Sequence, residues 1–438
     1  MSSPYVKTAR ELVGQIDALS AAKSNRSARF SLPPEFLPQQ HLIVNTAATL
    51  EFNSPGAQGF GVKRAGLSVP GSVMLLVAPR CCGRNTSALS GEADLKDRFA
   101  YLLLDDKDII TGRHLPKIAE AAELFVASRQ TAPTALMICI TCVDALLGTD
   151  MERVSRQVEE RIRLPVRPCY MYALTRESHR PPMAAVRETV YSLLKPGRRQ
   201  NRAVNLLGFF SPLDEDAELY ALLREGGLKY IRELARAKDF AAYQELAMAN
   251  FNLVLNPEAR GAAAWFRRNL GIGSAELTRM YQIDKIHTQY QILAQTLKVN
   301  WNDSTYLCRA QAAANRFCLA HRGLKTVIGS RISANPFELA LALTRYGLTV
   351  TEILCVPSAY DYFYLKKLAE LSPQTKIYNH LAPIMLNFAV DTPAELAIGK
   401  DAAYYHPEAA AVSWQGDAEP FGYSAVRNLF AAIEGVFA

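Results

Sequence analysis

The chain has 438 residues, of which 49% are hydrophobic and 21% charged, and carries a formal net charge of +7. That length exceeds one ordinary core and calls for two or three domains. No apolar run is long enough to span a bilayer, and the basic residues lack the aromatic interleaving of a nucleic-acid binder, so neither a membrane nor a nucleic-acid partner is expected.

Residues 1–23 are polar, read as a helix, and lack the basic-plus-apolar pattern of a secretory signal, so a cytoplasmic protein is expected. From about residue 70 onward, apolar runs bounded by Gly, Pro or Asp alternate with amphipathic stretches. Val73–Val77, Leu136–Ile140, Val204–Phe209, Phe251–Leu255 and Thr326–Gly329 read as buried strands. Leu219, Leu222, Leu223 and Leu228 follow Asp214–Asp216, an acidic first turn suited to a helix N-terminus. Val426, Leu429, Phe430, Ile433 and Phe437 lie on one face of a C-terminal helix. Strands alternating with helices in this way imply parallel sheets covered on both faces.

Breaks in the pattern divide the chain into three α/β domains. The first, residues 1–200, takes in the N-terminal helical segment and ends in a basic turn of Lys195, Arg198, Arg199 and Arg202, which reads as a solvated loop. The second covers 201–320, with a long helical region after Ile272, and the third covers 321–438 with the C-terminal helix.

Eight cysteines in a long chain without a secretory signal point to metal or redox chemistry more than to a disulfide framework. Four of them form two tight pairs. Cys81 and Cys82 follow directly on the strand ending at Val77, and Cys139 and Cys142 stand at the end of the strand Leu136–Ile140. Open α/β sheets place ligands at the C-terminal ends of their strands, and thiolates are the usual ligands of iron–sulfur clusters. Two bland readings stand beside that one. A strand-end cysteine is often a small core residue, and Cys-x-x-Cys also serves redox pairs and zinc sites. No histidine pair at ligand spacing supports zinc.

These residues, taken in order, resemble the nitrogenase component 1 superfamily. That family shows a strand, a His-Gly-Pro-x-Gly-Cys turn, and later a Thr-x-Cys followed by Ile-Gly-Asp-Asp. Here Cys82 matches the turn cysteine, and Cys142 is followed by Leu147-Gly148-Thr149-Asp150. Ser178-His179 looks like the family's Gly-Ser-His loop, and Val204-Asn205-Leu206-Leu207-Gly208 like the strand that opens its second domain. Asn252-Leu253-Val254 with Gly271-Ile272, Leu396-Ala397-Ile398-Gly399, and Phe421-Gly422-Tyr423 continue the resemblance over residues 50–437.

The resemblance implies three stacked Rossmann-like domains and a cluster held by Cys82 and Cys142, with Cys81 or Cys139 as further thiols. It implies a 4Fe-4S cluster or a larger bridging one, a related or identical component 1 subunit in a dimer or heterotetramer, and an ATP-dependent iron protein as electron donor. The chain itself has no Gly-x-x-x-x-Gly-Lys-Ser/Thr loop, so ATP hydrolysis falls to the partner. The family's first cysteine is missing, with Asn53 or Ser54 in that region, and Ala78-Pro79 replaces the His-Gly of the turn. The cysteine that holds the iron–molybdenum cofactor in nitrogenase would fall near Leu255 or Asn256, and neither can bind it. His380 is a polar loop residue more readily than a cofactor ligand. His179 is the candidate proton donor.

The expected activity is therefore reduction of a small organic substrate, of tetrapyrrole or organosulfur type. Two other readings remain: a non-catalytic scaffold for metallocluster assembly, and a cluster-free binding or transferase protein sharing the fold.

Overall fold

The computed structural model describes residues 3–22, 30–37, 48, 61–79, 95, 97–141, 143, 147–171 and 182–438. Three sheets carry the fold. The first has β2 (Val73–Pro79), β3 (Phe99–Leu104), β4 (Leu136–Ile140) and β5 (Val166–Tyr170), all parallel, in the order β3-β2-β4-β5. The second has β6 (Ala203–Leu207), β7 (Tyr230–Glu233), β8 (Phe251–Val254) and β9 (Gly273–Glu276), parallel and ordered β7-β6-β8-β9. The third contains β10 (Lys325–Ile328), β11 (Thr349–Ile353), β12 (Lys376–Tyr378), β13 (Leu396–Ile398) and β14 (Ala410–Val412), parallel to one another. The parallel α/β class is the one the alternating pattern predicts.

Both faces of the first sheet are buried. Val73, Leu75, Val77, Ile138 and Ile140 enter one apolar cluster; Met74, Leu76, Met137 and Cys139 enter another. Because strand side chains alternate between faces, each strand feeds both cores, which is why these runs read as continuously apolar. The second of those clusters also takes Leu207, Tyr243, Val254 and Phe266, so the first and second sheets share a core.

Contacts divide the chain into two compact units. One comprises residues 54–212 and 227–278, with the first two sheets; the other comprises 1–53, 213–226 and 279–438, with the third. Where the sequence suggested three domains, the first and second sheets fall in one unit, and residues 1–53, 213–226 and 279–320 group with the third sheet. Val6–Thr8 forms a strand, β1, that pairs antiparallel with β12, and the helix Ala9–Ala22 buries Leu12, Val13 and Ile16. The N-terminal segment thus completes the third sheet, although the sequence grouped it with the first domain. Likewise the helices Ile283–Leu297 and Ser304–Ala320 pack with the C-terminal helix Gly422–Phe437, where the Phe317 and Phe430 rings stack at 4.2 Å. Their apolar faces needed a partner, and the C-terminal helix supplies it.

Candidate functional site

In the first sheet β2 lies between β3 and β4, so the chain leaves β2 toward one neighbour and returns on the other. The switch point falls between β2 and β4, where open parallel sheets form their ligand crevice. Val77 and Ile140 are register partners. Past them the chain runs from β2 through Pro79 to Arg80, Cys81 and Cys82, and from β4 through Thr141 to Cys142. Cys81, Cys82 and Cys142 themselves lie outside the described residues, as does His179 in the segment after β5. The structure therefore establishes that the two strands leading to the paired cysteines are neighbours, running in the same direction and in register.

Thr141 was not singled out from sequence. It is 4% exposed, and its Oγ1 is buried with no hydrogen-bonding partner among the described residues. A buried hydroxyl without a partner costs free energy and marks a place where a further polar group belongs. Its position between Cys139 and Cys142, at a strand's C-terminal end, was the available signal.

Cys139 has a different setting. It is fully buried, opposite Leu76 on one side and Cys169 on the other. Burial pushes its thiol up to about 12, only partly opposed by the Lys63 ammonium. Cys169 is raised further above the usual thiol range by burial, then by Cys139 itself. Two neutral thiols packed with Met74 and Met137 behave as small apolar groups. The motif after Cys142 is a helix start: Gly148 has φ of +66°, and the Asp150 carboxylate accepts from Arg153 N at 3.0 Å ahead of the helix Met151–Ile162.

At the ends of β6 and β8 the positions expected for a cofactor ligand are already used. Leu255 is 2% exposed, and its N–H donates to Leu207 O at 2.8 Å. Asn256 Oδ1 accepts from Glu258 N at 3.0 Å. Arg187 donates from Nε to Gly208 O at 3.0 Å and pairs with Glu258 at 2.5 Å, filling the same edge. After β12, His380 Nδ1 is buried with no hydrogen-bonding partner among the described residues, and burial, aided by Arg331, brings the ring down to about 4, so it stays neutral near pH 7. Among the described residues no three His, Cys, Asp or Glu side chains are grouped to hold a metal ion.

The sequence profile of the family described as "Nitrogenase component 1 type Oxidoreductase" matches residues 57–426. The chain belongs to that family. As a component 1 type protein it is an oxidoreductase of the nitrogenase-like kind, and its relatives bind iron–sulfur clusters. No curated protein matches the sequence. Among solved structures it is similar to "Nitrogenase Cp1 at pH 6.5", at 14% identity and a TM-score of 0.67, over 86% of this chain and 90% of that one. It is also similar to "Nitrogenase Cp1 at pH 5", at 14% identity and a TM-score of 0.55, over 87% of this chain and 88% of that one. Those likenesses establish the component 1 fold.

The β2–β4 edge leads, along the sequence, toward the cysteines that the resemblance assigns to an iron–sulfur group. Two adjacent strands end there, and the Thr141 hydroxyl at the end of β4 has no hydrogen-bonding partner among the described residues. The Cys139 thiol, neutral and fully packed, has the setting of a core residue. No helix among the described residues is long and apolar enough to cross a membrane.

Proposed function

We propose that this chain is a subunit of a nitrogenase-like, iron–sulfur-dependent reductase acting on a small organic substrate of tetrapyrrole or organosulfur type. The carrying observation is the in-register adjacency of β2 and β4 at the switch point of the first sheet, with Cys82 and Cys142 following them in the chain. Cys82 and Cys142 would hold a 4Fe-4S or larger bridging cluster, with Cys81 as the spare thiol and Cys139 beneath them as packing. When bound, such a group accepts and passes on single electrons. Thr141 would donate its hydroxyl proton at this edge, lowering the cost of negative charge there. His179 stays the candidate proton donor.

An ATP-dependent iron protein would supply electrons, since this sequence has no phosphate-binding loop of its own. A related or identical component 1 subunit would complete the assembly in the cytoplasm. The Asn256 and Arg187 arrangement supports a chain that relays electrons without carrying a second metallocofactor on β6 or β8.

The test is anaerobic purification with iron and sulfide quantification, alongside Cys82→Ala and Cys142→Ala. The reading predicts a brown protein whose iron collapses in both variants. Iron-free protein, even when co-expressed with a partner subunit, would overturn it. Cluster transfer to an acceptor without turnover would favour the assembly scaffold.

A further inference from the structure

The basic turn that ends the first domain is part of a larger charged edge. Lys195, Arg198 and Arg202 precede β6, Lys229 precedes β7, and Arg267 lies in the short helical stretch Phe266–Leu270 before β9. All five therefore stand at the N-terminal edge of the second sheet, away from the strand ends where its crevice would lie. Each is exposed, and none has an ion-pair partner among the described residues. Two acids of the neighbouring elements are paired with other arginines: Glu245 with Arg232 at 2.9 Å and Glu188 with Arg268 at 3.3 Å.

The edge is held in shape. Lys195 N donates to Gln244 Oε1 at 2.9 Å and Gln200 N to Met248 O at 2.8 Å. The Arg199 guanidinium donates to Ala247 O at 3.1 Å, to Ala249 O at 3.2 Å and to Leu270 O, tying this turn to those before β8 and β9. Arg202 O accepts from Lys229 N at 2.9 Å, tying it to the turn before β7. Cations carried on so fixed a backbone lose less freedom on meeting a partner than those of a loose loop.

We propose that this edge is a docking surface for a carboxylate-rich protein surface. Single-stranded nucleic acid needs aromatic platforms for its bases. The one large exposed aromatic here, Tyr230, is already covered by Arg232 at 5.3 Å from its ring centroid. An anionic membrane needs apolar side chains to insert, and Tyr230 is the only large exposed apolar residue described between 195 and 276. Carboxylates need only the cations, which have no ion-pair partner among the described residues.

Fluorescence anisotropy of the full chain at low salt, with a glutamate-rich peptide, a single-stranded oligonucleotide and anionic phospholipid vesicles as probes, tests this. The peptide should bind, weaken with added salt, and lose about tenfold in affinity on Arg198→Glu with Arg202→Glu. Arg153→Glu, on an exposed helix of the first sheet, should leave binding unchanged. Lys195→Gln with Arg198→Gln repeats the comparison if the charge reversals fail to fold. No peptide binding, equal loss in the Arg153 control, or tighter binding of the oligonucleotide or the vesicles overturns the proposal.

Discussion

Gly422 has φ of +70°, and a Cβ there would lie 1.9 Å from Glu218 Oε1 and 2.4 Å from Tyr290 Oη. The absent side chain lets the Glu218 carboxylate sit on the N-terminus of the helix Gly422–Phe437, accepting from Tyr423 N at 2.6 Å, Ser424 N at 3.0 Å and Tyr290 Oη at 2.7 Å. A carboxylate there satisfies orphan N–H groups and opposes the helix dipole. The Phe-Gly-Tyr motif is therefore a structural device in this chain. Gly422→Ala should cost about 3 kcal/mol through a clash in a packed site and an unfavourable φ, measured by denaturant unfolding. Cys139→Ser buries a hydroxyl in an apolar core, which should cost about 1–3 kcal/mol and leave iron content unchanged. Loss of iron in that variant would return Cys139 to the ligand set.

Glu338 is 1% exposed and accepts from Tyr281 N and Gln282 N, at 3.0 and 3.3 Å, and from Gln282 Nε2 at 3.0 Å. Burial nevertheless pushes its carboxyl up to about 7 from 4.5, against the pull of those donors. The folded chain then holds a proton that the unfolded chain releases near 4.5, so this group's contribution is full at low pH. It falls as pH rises to about 7 and is constant above. Glu338→Gln should flatten that part of the stability–pH profile, and an unchanged slope would show that the group titrates normally.

At the scale of elements, the N-terminal strand and helix carry the clearest consequence. β1 covers one edge of the third sheet by pairing Val6 with Tyr378 and Thr8 with Lys376, and the following helix packs along Tyr362–Leu371. Unpaired strand edges are templates for association with other chains. Removing residues 1–22 should lower the melting temperature and promote aggregation through the uncovered edge. The point variant Leu12→Ala, at a fully buried position, should cost about 3 kcal/mol without aggregation. The sequence showed helical character here and could not show the strand. Three residues are too few for a period of 2 to declare itself.

For the whole molecule, the family places the chain among oxidoreductases, and the prediction is one of assembly. Iron-loaded protein should run as a dimer or heterotetramer in native mass measurements, and Cys82→Ala should weaken that assembly if the cluster bridges subunits. A stable iron-loaded monomer would rule out the bridging arrangement. Of the candidate site, the strand ends were legible in the sequence, because apolar runs broken by Cys, Gly and Pro are local signals. Cys139 was ambiguous for the same reason: its spacing from Cys142 is that of a ligand pair. Only its register against Leu76 and Cys169 shows it turned into the core.

Short-range periodicity and motifs in order were enough for the class of fold, most strand positions, the C-terminal helix and the family. The tertiary structure decided which strands became neighbours, that the N-terminus completes the third sheet, and that the helices of 283–320 pack with the C-terminal one. Those outcomes depend on burying both faces of every sheet and one face of every helix at once, a condition on the whole chain that no local window contains.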